Sequence, residues 1–181
     1  MKRIKSMEDK YLIPALDLVE TVFTVSECEE NGKLVRSLVE EIRSKRFYLP
    51  ELELIMVDET DEVLGYVMFS RFHLEGKYER ELLLLSPVAV KTELQRQHIS
   101  KELIEYGFKK AAELGYKAVI VEGNPMNYRN RGFDTSSDYG ITAYESVGLP
   151  APECLMVKEL VPGGLEGMHG QVSYKDYQSL Q

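Results

Sequence analysis

The stretch LLLLSPVAV at residues 82–90 decides how the rest of this chain folds. An uninterrupted apolar run of this length is typical of a strand buried on both faces of a sheet. Pro87 lies inside the run, and a proline has no N–H to donate to a neighbouring strand. The sequence therefore predicts a strand with a bulge or a separation from its neighbour at Pro87. The alternative is a kink in an edge strand.

The residues after this run predict a helix and a second buried strand. KTELQRQHIS at residues 91–100 is polar, and helix-forming residues with one apolar stripe fill 97–114. Gly115 follows as a helix-ending glycine. Residues 117–121, which are apolar from Ala118 onward, predict the next strand. The order strand, helix, strand implies parallel pairing with a right-handed crossover.

The residues before residue 50 predict two helices. Apolar side chains recur at helical spacing over 7–23 and again over 27–44. Pro14 favours a start of the first helix near that residue, because proline is tolerated in a first turn. Asn31 and Gly32 predict a break or bend in the second helix.

The remaining pattern predicts short strands. A first strand is predicted at 2–5, and short polar turns favour antiparallel hairpins among the strands 53–58, 63–74 and 81–90. Beyond residue 133 the pattern is less regular. It indicates a late strand at 153–160 and an edge strand at 170–174.

Composition limits the function classes. The chain has 181 residues, which suits one domain, and its net charge of −8 argues against nucleic-acid binding. No apolar run approaches the roughly 20 residues that a membrane-spanning helix needs, and the first nine residues lack the apolar core of a signal peptide. Cys28 and Cys154 show no disulfide or metal-ligand spacing, so we expect reduced thiols and a cytoplasmic protein.

Three motifs together resemble a known family. SPVAV, LQRQHIS followed by KELI, and NPMNYRNRGF are similar to the cofactor-binding half of the GNAT superfamily of acetyl-CoA-dependent N-acetyltransferases. That family has a strand ending in a Val-Ala-Val-like tripeptide, then Gln/Arg-x-x-Gly-x-Gly/Ala and a helix, and later a Tyr-x-x-x-Gly-Phe segment. Because all three recur in one order, the resemblance is fairly specific.

The resemblance implies the fold and its division. We expect an α/β fold of α+β character, with a mixed and mostly antiparallel sheet of six or seven strands flanked by helices. A splayed cofactor cleft is expected where the Pro87 strand leaves its neighbour. A single domain over 1–181 would contain a helical acceptor-side region (1–50), an acetyl-CoA-binding core (81–133) and a C-terminal extension (160–181).

The resemblance also implies which residues bind acetyl-CoA. The amides at the start of the helix would hold the diphosphate, and the strand after Pro87 would pair with the pantetheine arm. Arg96, His98 and Ser100 stand where the family prefers glycines, so this segment departs from the family pattern. The alternative is a plain polar helix start. The implied cofactor-binding residues are Val88, Ala89, Val90, Gln95, Arg96, Gln97, His98, Ile99, Ser100, Lys101, Asn124 and Tyr128.

For catalysis, the resemblance implies one residue. Tyr128 matches the family tyrosine near the sulfur, which is often the general acid, although a tyrosine on a short helix also serves packing. The Val88 amide would stabilise the developing oxyanion. Asn124 would bind the cofactor or only cap the helix at Pro125. Histone-modifying members carry a glutamate where this chain has Leu84, so we expect deprotonation through water.

The predicted function is transfer of the acetyl group of acetyl-CoA to a primary amine of an unidentified small-molecule acceptor, by direct attack and without a metal. Glu81 and Glu122 lie nearby in the sequence as candidates for the general base, but each is also explained as a solvated charge at a strand end. A non-catalytic protein that binds CoA thioesters or a partner protein is the alternative, and acylation of a protein terminus or lysine is a third hypothesis. Neither nucleic acid nor membrane is an expected partner, and homodimerisation stays open.

Overall fold

The computed structural model describes every residue from Met1 to Gln181. Its strands are β1 (Arg3–Ser6), β2 (Glu53–Val57), β3 (Val63–Leu74), β4 (Lys77–Val90), β5 (Ala118–Glu122), β6 (Asp134–Thr135), β7 (Ile141–Ala143), β8 (Leu155–Glu159) and β9 (Gly170–Val172). Its α-helices are α1 (Asp9–Ser26), α2 (Glu29–Arg43), α3 (Ile99–Glu113) and α4 (Pro125–Tyr128). The chain divides into two compact units, one comprising 1–70, 86–108 and 177–181, the other 71–85 and 109–176.

Seven strands form one sheet in the order β1-β2-β3-β4-β5-β8-β6. β1 with β2, β2 with β3, β5 with β8 and β6 with β8 are antiparallel, whereas β4 and β5 are parallel. This confirms the predicted α/β fold with a mixed, mostly antiparallel sheet. β9, predicted as an edge strand, instead pairs with β7 in a separate two-stranded sheet.

The two N-terminal helices are more continuous than their sequences indicate. α1 begins at Asp9 and contains Pro14, so the predicted start near Pro14 is wrong. Tyr11, which is 2% exposed, anchors the turn before the proline. α2 runs through Gly32, so the predicted break there is wrong. This glycine instead permits close packing on α1, since a methyl group there would lie 2.1 Å from Thr24 Oγ1.

α3 packs against β3 through two glycines in the first unit. A methyl group at Gly65 on β3 would lie 2.7 Å from Ile99 Cγ2, and one at Gly107 on α3 would lie 2.2 Å from Phe69 Cε2. Both positions therefore bring helix and strand closer than a larger residue would permit. The predicted helix end is confirmed, since Gly115 has φ +95° and Tyr116 N–H donates to Ala111 O at 3.1 Å.

The core of the second unit is built from short apolar strands. Leu82, Leu83 and Leu84 pair with Ala118, Val119 and Ile120, and all six are buried. β8 covers the other edge of β5 with the buried residues Leu155–Val157. Burying each of the Leu, Val, Ile and Met side chains contributes about 1.5–3 kcal/mol before entropy is counted.

Two further features concern the cysteines and the hydropathy of the helices. Cys28 and Cys154 are free thiols, as predicted. None of the helices combines the length and the hydropathy that crossing a bilayer requires.

Candidate active site

The residues implied by the resemblance fall in both units. Asn124 and Tyr128 lie in the second unit, and all the others lie in the first.

The end of β4 contributes Val88, Ala89 and Val90. Val88 is half-buried, whereas Ala89 and Val90 are buried. β4 pairs with β5 over three residue pairs, the last of which joins Leu84 to Ile120, although β4 itself continues to Val90.

The β4–α3 loop, residues 91–98, has a backbone shape that glycine favours. Arg96 has φ +63° and His98 has φ +65°, so both are left-handed. A non-glycine residue in this region costs about 1–2 kcal/mol. The resemblance places family glycines at these two positions, and the backbone has the left-handed shape that glycine favours. Both side chains are exposed.

α3 begins directly after this loop. Its first main-chain hydrogen bond runs from Glu102 N–H to His98 O at 2.9 Å, so the amides at 99–101 precede any acceptor within the helix. The positive end of a 15-residue helix favours an anion at this point. Gly65 keeps Ile99 close to β3, which fixes the position of these amides. Loop shape and helix start together suit a diphosphate.

α4 carries the candidate catalytic tyrosine. Asn124 caps this helix, because its Oδ1 accepts from Met126 N–H at 3.0 Å. The capping interpretation of Asn124 is thereby confirmed, while its contact with a cofactor stays a prediction.

The Tyr128 ring is held on three sides, and its hydroxyl has no hydrogen-bond partner within the protein. Phe133 meets the ring edge-on at 5.6 Å, and the Arg131 guanidinium lies 5.9 Å from its centroid. A methyl group at Gly123 would lie 2.7 Å from Tyr128 Cε2, so that glycine makes room for the ring. Burial raises the pKa of Tyr128, against a smaller lowering by Arg131, so the hydroxyl keeps its proton at neutral pH.

The carboxylates considered from the sequence are engaged elsewhere. Glu81 forms an ion pair with Lys117 at 3.0 Å, and Glu122 accepts from the Tyr174 hydroxyl at 2.6 Å. Leu84 is 5% exposed and carries no acid–base group. No group of three or more His, Cys, Asp or Glu side chains could hold a metal ion.

Sequence reasoning missed two residues that shape the site, Gly65 and Gly123. The signal for Gly65 was present, since an isolated glycine inside a strand pattern indicates close approach of another element. Gly123 had no comparable signal, because a glycine at a strand end is ordinary turn chemistry.

A comparison of sequence families decides the assignment. The model of the acetyltransferase (GNAT) family matches residues 17–133. The chain belongs to the GNAT acetyltransferase family. Its members are acyltransferases, and this GNAT protein is one of them, which confirms the resemblance seen in the motifs.

Individual relatives agree with that assignment. The uncharacterized N-acetyltransferase YhbS of Escherichia coli (strain K12) is 28% identical over 141 residues, 77% of this chain and 80% of YhbS. The crystal structure of E. coli YhbS in complex with CoA is similar in fold, with a TM-score of 0.79 and 24% identity over 94% of this chain and 87% of that one. The crystal structure of a GNAT acetyltransferase from Brucella melitensis in complex with acetyl-CoA has a TM-score of 0.77 and 19% identity. The match covers 100% of this chain and 99% of that one.

Proposed function

We propose that this GNAT protein transfers the acetyl group of acetyl-CoA to a primary amine of a small molecule by direct attack. The observation that carries the proposal is the left-handed backbone at Arg96 and His98, which leads into the first amides of α3. Side chains differ from the family pattern there, yet the backbone retains the shape that anion binding needs.

The cofactor proposal assigns groups of this chain to parts of acetyl-CoA. The amides at 96–101 hold the diphosphate, and Val88, Ala89 and Val90 pair with the pantetheine arm. The short β4–β5 register supports the second assignment, because backbone groups beyond it need other partners. The crystal structures of YhbS with CoA and of the Brucella protein with acetyl-CoA support a CoA thioester as the ligand.

Acetyl-CoA supplies a thioester carbonyl when bound. The neutral amine nitrogen attacks the carbonyl carbon of the thioester, so that a C–N bond forms and the C–S bond breaks. The Val88 amide donates to the carbonyl oxygen as its charge develops. Tyr128, neutral at physiological pH, donates its proton to the departing sulfur, and water removes the extra proton of the amine.

The proposal extends to the whole chain. Residues 1–181 act as one domain in the cytoplasm. Asn124 contributes to cofactor binding in addition to capping α4.

Two measurements test the proposal. Isothermal titration with CoA and acetyl-CoA should show binding, and release of free CoA thiol should depend on an added amine. Binding without turnover for any amine or peptide would instead support a non-catalytic CoA-thioester-binding protein, an alternative that the non-glycine loop and Leu84 favour. Turnover with peptides alone would indicate protein acylation.

A further inference from the structure

A half-open cavity of about 400 Å³ lies wholly inside the second unit. Residues 136–155 form it, and we call this stretch the cavity segment. The segment begins after residue 133, where the match to the family model ends. The volume lies within the range of roughly 300–1,000 Å³ typical of small-molecule sites.

The wall of the cavity is largely apolar. Ile141 and Leu155 are buried, and Ala143, Leu149 and Pro152 complete the apolar lining. Such a wall favours an apolar ligand body, since each buried methylene group contributes about 0.8 kcal/mol.

The cavity segment is held in place by contacts within the second unit. Tyr144 N–H donates to Val172 O at 3.1 Å, and the Tyr144 hydroxyl donates to Glu75 Oε1 at 2.9 Å. β7, in the middle of the segment, pairs with β9 over three residue pairs. The cavity is therefore pre-formed, as ligand sites usually are.

Both ends of the cavity segment lie next to contacts of Tyr128. At one end, Phe133 packs edge-on against the Tyr128 ring three residues before Ser136. At the other end, Cys154 accepts a hydrogen bond from Gly123 N–H at 2.9 Å, and Gly123 is the residue that makes room for the same ring. The proposed general acid and the cavity are thus built from adjoining residues.

The charge of the lining limits the ligand further. Glu145 is the one charged side chain that lines the cavity, and it forms no hydrogen bond or ion pair within the protein. Lysine, arginine and histidine are absent from the lining. A carboxylate or phosphate ligand would meet repulsion there, whereas an ammonium group would be attracted.

We propose that this cavity is the acceptor site and that it selects amines with an apolar body and no acidic group. The inference rests on the proposed function and names its substrate class. Glu145 increases the local concentration of the cationic amine, and the apolar wall holds its hydrocarbon part. The ammonium group then loses a proton to water, and the neutral amine attacks the thioester as described above.

The test uses a matched pair of probes. 2-Phenylethylamine and phenylalanine present the same ring near a primary amine and differ by one carboxylate. The wild-type protein should acetylate 2-phenylethylamine with a kcat/KM at least about tenfold higher than phenylalanine, because only the second meets like charge at Glu145. Glu145→Lys, an exposed substitution, should narrow that ratio by about threefold or more.

A second variant tests the cavity itself. Ala143→Leu adds volume to the wall and should raise the KM for 2-phenylethylamine by about tenfold, with CoA affinity unchanged. Ser146→Ala changes an exposed neighbour outside the lining and serves as the control. Saturation-transfer NMR of 2-phenylethylamine provides a readout besides turnover, and its signal should weaken in Ala143→Leu but not in the control Ser146→Ala.

The outcomes separate the two proposals. Absence of CoA binding would overturn the proposed function. CoA binding with turnover that favours acidic acceptors would overturn only the assignment of the cavity. The assignment of the cavity would also be overturned if the wild type gave no saturation-transfer signal with 2-phenylethylamine, or if Ala143→Leu gave the same signal as the wild type. An unchanged ratio of kcat/KM for the two probes in Glu145→Lys would overturn it as well.

Discussion

The β4–α3 loop and the cavity segment differ in how their sequences relate to what they do. The loop presents main-chain amides, and its left-handed residues Arg96 and His98 keep a glycine-like shape without glycine. The cavity segment presents side chains that are scattered over twenty positions and brought together by two short strands and several turns. A site made of backbone tolerates a change of side chain, whereas a site made of side chains does not.

The first prediction concerns the largest side-chain effect, at Tyr128. Tyr128→Phe removes only the hydroxyl, because the contacts with Phe133, Arg131 and Gly123 involve the ring. We expect kcat to fall about 10²–10⁴-fold, the usual contribution of a general acid. The affinity for acetyl-CoA, measured by titration calorimetry, should change little.

The pH profile offers a check on the same residue. Burial raises the pKa of Tyr128, so its protonated form persists to a higher pH than for an ordinary tyrosine near 10. Ionisation of Tyr128 should cause no loss of kcat between about pH 7 and 9. Near-normal turnover of the Tyr128→Phe variant would contradict the role of general acid and would show that Tyr128 serves packing only.

The second prediction tests the backbone site through the position of α3. Gly65→Ala places a methyl group 2.7 Å from Ile99 Cγ2, so atoms at this contact must move, and we expect the first turn of α3 to shift. We expect CoA affinity to fall by about threefold to tenfold, because the helix amides no longer meet the diphosphate.

Gly107→Ala is the matched control in the same helix. Its methyl group would lie 2.2 Å from Phe69 Cε2, away from the start of α3. It should cost about 1–3 kcal/mol in the free energy of unfolding, measured with denaturant, and leave CoA affinity within about twofold. Equal loss of CoA affinity in both variants would contradict a specific role of the helix start.

The third prediction separates the shape of the loop from its side chains. His98→Gly and His98→Ala both remove the imidazole, but only glycine suits φ +65° without strain. The glycine variant should be about 1 kcal/mol more stable than the alanine variant in denaturant unfolding. Both should bind CoA within about threefold of the wild type, because the amides do the binding. A much larger loss in both would show that the imidazole itself binds the cofactor.

The smallest predicted effect is in the cavity segment. Tyr144→Phe removes the hydrogen bond to Glu75, which is exposed and therefore contributes about 0.5 kcal/mol. The KM for 2-phenylethylamine should rise about twofold, since the cavity wall is less firmly held. CoA affinity should not change, and a loss of CoA affinity would argue against two separately built sites.

These contrasts show what the sequence could predict. The apolar runs gave the strands and the motif order gave the family, because buried strands and glycine-type turns leave strong local signals. The start of α1 was misplaced, because the turn before Pro14 contains the buried Tyr11 and the helix continues through the proline. The cavity could not be predicted, because short strands such as β7 pair with residues distant in sequence.

Titration calorimetry of CoA against the wild-type protein tests the central claim most directly. If the left-handed loop and the start of α3 hold a diphosphate, the titration should show one CoA per chain with a Kd on the order of 10 μM. No detectable heat with CoA at about 1 mM would mean that the backbone shape alone does not bind the nucleotide, and would contradict this account.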